Sequence, residues 1–173
     1  MSKRKIILNL CTSLDSFIEG ENGEIDWCFT DQDYSMTAFL NRIDTIFFGR
    51  KSYEQVIQGM PNAFSDKKKV VFSKTLKNID AHSRIISGNI ENGVRDLLNT
   101  PGKDIWLFGG ADLTTSMLNL NLVDELMISV HPLLLGKGKP LFNAIKGRKK
   151  LILTDTKTFS TGLVQLYYTV EKE

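Results

Sequence analysis

The chain has 173 residues, a formal net charge of +2, and 42% hydrophobic and 24% charged residues. That length fits a single domain around one core, so we expect one domain over residues 1–173. The composition excludes disordered, collagen-like and coiled-coil chains and is that of an ordinary soluble protein. The small charge, spread along the chain, argues against a nucleic-acid partner.

The cysteines and the N-terminal segment indicate the cellular compartment of the protein. Only Cys11 and Cys28 are present, which fits a reducing compartment better than a disulfide framework. The apolar stretch after the basic start is broken at Asn9 and lacks a small-residue cleavage site, so it predicts a strand rather than a signal peptide. No run reaches the roughly 18 apolar residues of a membrane span. We expect a cytoplasmic protein with no membrane partner and no metal site.

The first two-thirds of the chain alternate between strand and helix patterns. Strands are predicted over residues 5–11, 45–48, 70–72, 84–86 and 105–108, and helices over residues 31–43, 52–57, 91–98 and about 111–120. Short connections rich in glycine separate these elements. Such alternation predicts a parallel sheet covered by helices.

After Asp124 the pattern changes to strands alone. Residues 126–130 form one predicted strand, and residues 151–158 and 163–170 form a hairpin closed near Thr161 and Gly162. The last strand alternates apolar and polar residues, which indicates one face on the core. The predicted fold class is therefore α/β, with a mixed, mainly parallel sheet flanked by helices and a C-terminal antiparallel hairpin.

Three strand ends carry residues suited to an anion. Gly49–Ser52 and Gly109–Asp112 place glycine where a helix begins, and Ser73–Thr75 adds hydroxyls and a cation. A helix N-terminus offers free N–H groups and partial positive charge, and glycine lets a phosphate approach closely. Alternatively, each glycine could be present only because the turn between strand and helix requires it. Together the three junctions predict a nucleotide-like ligand, although neither a P-loop nor a Rossmann fingerprint is present.

Five segments together resemble, in the same order, the motif series of riboflavin-type reductases within the dihydrofolate reductase superfamily. The segments are residues 13–18 (SLDSFI), 49–54 (GRKSYE), 71–76 (VFSKTL), 106–111 (WLFGGA) and 131–142 (HPLLLGKGKPLF). The similarity extends from about Lys5 to Val170. It implies a dihydrofolate-reductase-like fold and a homodimer.

The resemblance also implies NADPH as cofactor, bound along the C-terminal edge of the sheet. The matching positions are Gly49, Arg50, Lys51, Ser52, Ser73, Lys74, Thr75, Gly109, Gly110, Ala111, Asp112 and Leu113. Arg50 would meet the 2′-phosphate, although Arg50 and Lys74 could simply be solvated surface residues. Cys11 and Thr12 by backbone contact, and Ile18 by packing, would meet the nicotinamide.

The proton donor is less clear from the resemblance. Folate-reducing relatives place a carboxylate a few residues beyond a Trp, and the matching position after Trp27 is Gln32. We therefore expect dihydrofolate to be a poor substrate, because an amide cannot cycle a proton near neutral pH. Asp31 or Asp33 is the candidate catalytic residue, although Asp at a helix start is often a cap.

The candidate substrate-binding residues are Asn9, Trp27 and Gln32. Asn9 is polar within an apolar strand, so its amide either reads a pyrimidine or pteridine edge or bonds a neighbouring loop. Cys11 is interpreted as a small buried residue rather than a reactive thiol. His131, before Pro132, is interpreted as structural.

The predicted function is reduction of a small heteroaromatic or ribosylaminopyrimidine-type substrate with NADPH. The resemblance points to the reduction of 5-amino-6-(5-phosphoribosylamino)uracil in riboflavin biosynthesis as the nearest known reaction. The alternative is a non-catalytic NADP-binding protein with a regulatory or scaffold role.

Overall fold

A computed structural model describes residues 3–172, in which ten strands and four helices follow one another along the chain. In chain order they are β1 (Ile6–Ser13), β2 (Phe17–Glu19), α1 (Met36–Arg42), β3 (Ile43–Gly49), α2 (Arg50–Gly59), β4 (Lys68–Phe72), β5 (Ser83–Ile86), α3 (Ile90–Leu98), β6 (Asp104–Gly109), α4 (Ala111–Asn119), β7 (Glu125–His131), β8 (Lys139–Pro140), β9 (Leu151–Thr158) and β10 (Val164–Val170). None of the helices in this part of the chain has the length and apolar character needed to cross a membrane.

Eight of these strands form the main sheet, in the order β5-β4-β3-β6-β1-β7-β10-β9. Neighbouring strands from β5 to β7 are parallel, and β10 is antiparallel to both β7 and β9. The predicted fold class is confirmed, including the antiparallel C-terminal hairpin.

The central strands are apolar on both faces because helices cover both sides of the sheet. In β1, Ile6 and Leu8 pack into one buried cluster with residues of α3 and α4, whereas Ile7 packs into another with residues of α1 and α2. All three are at most 1% exposed. The three layers leave the carboxyl ends of the parallel strands as the edge where a ligand can bind.

The first two helices begin at residues that differ from the sequence prediction by two or more positions. The helix predicted over residues 31–43 is α1, which begins only at Met36, so the predicted start is wrong. Tyr34 and Ser35 adopt left-handed backbone angles, with φ of 45° and 62°, which a right-handed helix cannot include. The second helix begins at Arg50 rather than Ser52, because the chain turns directly at Gly49.

A small two-stranded sheet, which the sequence did not predict, holds the loop after β1. It pairs β2 with β8, strands too short for a periodic pattern. Beside it, the Asp15 carboxylate accepts hydrogen bonds from the Leu135 and Gly136 N–H groups, at 3.1 and 2.8 Å, and from the Ser13 hydroxyl at 2.6 Å. These bonds fix two loops at the carboxyl end of the sheet.

Gly138 is required for this arrangement, and we expect Gly138→Ala to lower the free energy of unfolding by about 2–4 kcal/mol. Its φ is +153°, and a Cβ there would lie 2.2 Å from the Glu19 carbonyl oxygen. Gly136→Ala is the matched control, because φ is +72° with no atom within 4 Å of the added Cβ. It should cost only about 1 kcal/mol. Urea unfolding measures both, and equal losses would contradict the close approach.

Strand β9 lies at an edge of the sheet, and every one of its eight residues is exposed. Ile152 and Leu153 are 54% and 53% exposed, and an open apolar edge favours association. We therefore keep the prediction of a homodimer, with β9 in the interface. Ile152→Lys should convert a dimer to monomer in sedimentation velocity at micromolar concentration. Met60→Lys, at a residue 57% exposed outside the sheet, is the control, and a wild-type monomer would contradict the prediction.

Candidate functional site

A cleft of about 480 Å³ opens at the carboxyl ends of β3, β4, β5 and β6. We call it the helix-terminus cleft. Its lining residues are Gly49, Arg50, Lys51, Ser52, Phe72, Ser73, Lys74, Ile86, Ser87, Gly88, Ile90, Gly110, Ala111, Asp112, Leu113, Ser116 and Lys139. The cleft therefore combines hydroxyls, cations and glycine backbone with an apolar side.

Two helix N-termini meet in the helix-terminus cleft. α2 begins after Gly49 and α4 begins after Gly110, and in the described chain neither helix has a side-chain cap. A Cβ on Gly49 would lie 3.4 Å from the Gly110 nitrogen, and a Cβ on Gly110 would lie 3.3 Å from the Ser52 hydroxyl. The absence of side chains at both positions leaves a cradle of backbone N–H groups, which suits an anion such as a phosphate.

Four cationic side chains add to the positive potential of the cleft. Arg50 forms an ion pair with Glu54 in the same helix, with Nη1 2.8 Å from Oε2. Lys139 reaches the cleft from β8 and pairs with Glu19 at 3.0 Å. Lys51 and Lys74 are exposed. Since Asp112 is the one carboxylate that residues 3–172 contribute to the lining, the cleft is suited to a ligand with more than one negative charge.

Most of the predicted cofactor-binding residues come together in this cleft. Ten line it: Gly49, Arg50, Lys51, Ser52, Ser73, Lys74, Gly110, Ala111, Asp112 and Leu113. Within residues 3–172, the lining does not include the other five predicted residues, namely Cys11, Thr12, Ile18, Thr75 and Gly109.

Sequence reasoning missed several residues of the lining. They are Phe72, Ile86, Ser87, Gly88, Ile90, Ser116 and Lys139. Ser87 and Gly88 follow β5 just before a helix, so the rule that identified the other junctions applies to them as well. Lys139 carried a weaker signal, because only the pairing of β8 with β2 brings it to the cleft.

A second group of polar residues lies at the ends of β1 and β7. Cys11, Cys28 and His131 place their sulfur and nitrogen atoms within 4.8 Å of one another, and we call them the thiol–imidazole cluster. The prediction that Cys11 is buried is wrong, because it is half-buried at the end of β1. The Trp27 ring packs edge-on against His131 at 5.3 Å.

The imidazole of His131 is fully buried and uses both ring nitrogens. Nε2 accepts a hydrogen bond from the Phe29 N–H at 3.1 Å, and Nδ1 lies 3.2 Å from the Ser129 carbonyl oxygen. These contacts assign the neutral tautomer with the proton on Nδ1. Burial lowers the pKa of His131 below its usual 6.5, so the ring is neutral near pH 7.

Asn9 lies on the same face of β1 as Cys11 and is 4% exposed. Its backbone oxygen accepts a hydrogen bond from the Trp106 indole at 2.8 Å, but its side-chain Nδ2 has no hydrogen-bond partner among residues 3–172. An unpaired buried amide is costly. Nearby, Gln165, which sequence reasoning missed, donates to the Ser129 hydroxyl at 3.1 Å and to the Tyr34 carbonyl oxygen at 2.7 Å.

The two candidate catalytic carboxylates precede α1 and are exposed. Asp33 accepts hydrogen bonds from the Thr37 N–H at 3.0 Å and the Thr37 hydroxyl at 2.6 Å, which lower its pKa. Asp31 accepts a hydrogen bond from the Tyr34 hydroxyl at 2.6 Å. Gln32 is exposed and contacts the same hydroxyl at 3.4 Å.

The order of strands and the position of the cleft define a dihydrofolate-reductase-like protein. Residues 4–165 match the family model of the RibD C-terminal domain, and the chain belongs to that family. The uncharacterized protein YyaP of Bacillus subtilis is 48% identical over 180 residues, which cover 97% of this chain and 96% of that protein.

Solved structures share the fold. A putative riboflavin biosynthesis protein from Shewanella sp. PV-4 superposes with a TM-score of 0.85 at 23% identity, covering 97% of this chain and 99% of that one. A Thermotoga maritima diaminohydroxyphosphoribosylaminopyrimidine deaminase/5-amino-6-(5-phosphoribosylamino)uracil reductase superposes with a TM-score of 0.73 at 13% identity, covering 97% of this chain and 57% of that one. The likeness to these structures is one of fold.

The buried neutral His131 should make stability depend on pH. Because its pKa is lowered in the folded chain, the unfolded chain binds the proton first as pH falls below about 6.5. The free energy of unfolding should therefore fall, by up to about 1.4 kcal/mol per pH unit from this group, until the folded pKa is reached. Urea unfolding between pH 7.5 and 5 measures the slope.

Two variants assign this pH dependence to one ring. His131→Gln should flatten the slope, although it also removes stability at every pH. His82→Gln changes the other histidine, which is exposed, and should keep the wild-type slope. The same slope in both variants would show that His131 is not the titrating group.

Proposed function

We propose that the chain is an NADPH-dependent reductase of a small heteroaromatic or ribosylaminopyrimidine-type substrate. The observation that carries this proposal is the helix-terminus cleft, in which two uncapped helix N-termini meet beside Arg50, Lys74 and Lys139. Membership of the RibD C-terminal domain family supports a reductase of this kind. The Thermotoga protein is named as a 5-amino-6-(5-phosphoribosylamino)uracil reductase, which supports a ribosylaminopyrimidine as the class of substrate.

The residues of the cleft fit the phosphates and adenosine of a dinucleotide. The glycine cradle at Gly49 and Gly110 would hold the pyrophosphate, since neither position has a Cβ and an added one would lie 3.4 Å from the Gly110 nitrogen or 3.3 Å from the Ser52 hydroxyl. Arg50 would bind the 2′-phosphate through a charge-assisted hydrogen bond. Phe72, Ile86 and other apolar residues of the lining would pack against the adenine.

The bound cofactor would supply the hydride, and the chain would orient the substrate and exclude water. The face that carries Asn9 and Cys11 is the place we assign to the substrate. The unpaired Asn9 amide offers a donor to a carbonyl oxygen or ring nitrogen of a heterocycle. Trp27, packed against His131, would close the same face.

Of the two candidate proton donors, we favour Asp31. Asp33 is committed to the first turn of α1 through Thr37, and its lowered pKa keeps it ionised. Asp31 instead bonds the Tyr34 hydroxyl, which lies 3.1 Å from the Thr161 hydroxyl. This chain of hydroxyls would give Asp31 a route for proton exchange.

The direct experiment measures NADPH oxidation by absorbance, with a ribosylaminopyrimidine and with other carbonyl-bearing heterocycles as substrates. A rate that depends on both enzyme and substrate supports the proposal. Binding of NADPH in calorimetry with no oxidation by any substrate would instead favour the non-catalytic NADP-binding alternative. Failure to bind NADPH would overturn both.

Arg50 should determine the preference for NADPH over NADH. A charge-assisted contact to the 2′-phosphate contributes about 1.5–3 kcal/mol, which is roughly ten- to 150-fold in affinity. We expect Arg50→Ala to weaken NADPH by about that factor in calorimetry, and to change NADH little. NADH lacks the extra phosphate.

The chain contains a close control for this variant. Arg95 also pairs with a glutamate four residues away, with Nη2 2.6 Å from Glu91 Oε1, but it is not a lining residue of the cleft. Arg95→Ala should therefore leave both affinities unchanged. Equal losses of NADPH and NADH in Arg50→Ala would show that Arg50 only supports α2.

A further inference from the structure

No chemical step of the proposed hydride transfer uses the sulfur atoms of the thiol–imidazole cluster. It brings together Cys11 and Cys28, the only two cysteines of the chain, which are free thiols and half-buried. Cys11 lies in β1, and Cys28 lies in the segment between β2 and α1. Since both are partly open to solvent, a small reagent can reach them.

The two thiols are not equivalent. The neighbouring Cys28 thiol, whose sulfur lies within 4.8 Å of that of Cys11, lowers the pKa of the Cys11 thiol below its usual value. The same interaction, together with burial, raises the pKa of Cys28. A pair in which one sulfur is the better thiolate and the other keeps its proton has the attacking and resolving partners of a disulfide.

The third member of the cluster does not complete a metal site. Both His131 nitrogens are already engaged, Nε2 by the Phe29 N–H and Nδ1 by the Ser129 carbonyl oxygen. A metal at Nε2 would have to displace the Phe29 N–H and leave it unpaired beside a buried ring, which is costly. The geometry therefore favours chemistry between the two sulfurs.

We propose that Cys11 and Cys28 form a reversible intramolecular disulfide when the chain meets a hydroperoxide. The Cys11 thiolate attacks the terminal peroxide oxygen, the O–O bond breaks, and Cys11 becomes a sulfenic acid as the alkoxide or hydroxide leaves. The Cys28 thiol then attacks the Cys11 sulfur, the S–O bond breaks, and water departs with the Cys28 proton. The two sulfurs lose two electrons in total, and the peroxide gains them.

The bond requires only a short movement of the chain. The sulfurs lie within 4.8 Å of each other and must approach to about 2.05 Å. Cys28 can move more readily than Cys11, because it lies outside any helix or strand. Its N–H donates to the Ile25 carbonyl oxygen, within a local turn. Reduction by a dithiol would restore the starting arrangement.

The disulfide would change the substrate end of the site and leave the helix-terminus cleft intact. Cys11 shares its strand face with Asn9, where we place the substrate, whereas neither cysteine lines the cleft. This consequence rests on the proposed function. The oxidised chain should therefore still bind NADPH but should lose turnover, and dithiothreitol should restore it.

The disulfide is tested without cofactor or substrate. Reduced protein is treated with hydrogen peroxide, labelled with a maleimide, digested, and analysed by mass spectrometry. We expect two labels before treatment and none after it, a loss of two hydrogens from the intact mass, and a linked peptide pair containing Cys11 and Cys28. Dithiothreitol should return both labels.

Single variants separate the two steps. In Cys28→Ser, oxidation should stop at a Cys11 sulfenic acid, which a 1,3-dione reagent traps. In Cys11→Ser, the remaining thiol should stay labelled under the same treatment. Thermal melting checks that each variant folds, and the peptide map of the wild-type chain decides the question if either does not.

Three results would overturn the proposal. Both thiols could remain labelled, the linked peptides could come from two chains, or stoichiometric zinc could protect the thiols until a chelator removes it. The proposed function fails on separate grounds, namely the absence of NADPH binding or oxidation by the reduced chain. The two proposals can therefore be rejected independently.

Discussion

The pairing of β3 with β6 determines where the helix-terminus cleft forms. Their register places Phe48 opposite Gly109, so the two strands end side by side and the two helices that follow begin at the same place. A Cβ on Gly49 would contact the Gly110 nitrogen, and a Cβ on Gly110 would contact the Ser52 hydroxyl. Partial positive charge from the N-termini of two helices is therefore added at one point.

The two halves of the site obey different physical rules. At the helix-terminus cleft, backbone groups line the space beside the exposed side chains of Lys51 and Lys74, so the proposed recognition of a ligand depends on charge. At the ends of β1 and β7, the Trp27 and Phe29 rings pack against the neutral His131 imidazole and the Asn9 amide is buried, so an unpaired polar atom there is costly. The proposed binding of phosphates and the proposed selection of a heterocycle therefore depend on separate sets of residues.

The sequence predicted the sheet, its antiparallel hairpin and the cleft because those features leave local signals. Apolar runs mark buried strands. Glycine after such a run, as at Gly49, marks a junction where a helix begins with free N–H groups. The start of α1 was wrong because left-handed angles at Tyr34 and Ser35 leave no periodic trace. The meeting of Cys11 with Cys28 and His131 depends on contacts between segments far apart in the chain, which no spacing rule detects.

The small sheet of β2 and β8 connects these two halves. Ile18 lies in β2, while Lys139 lies in β8 and reaches into the cleft, and the ion pair between Lys139 and Glu19 spans the two strands. A strand pair this short has little stability of its own, so we expect it to open as one cooperative unit. The loop after β1 and Lys139 of the cleft are therefore mechanically linked, and the amide hydrogens of β2 and of Lys139, which carries the one N–H of β8 because Pro140 has none, should exchange with solvent at a common rate.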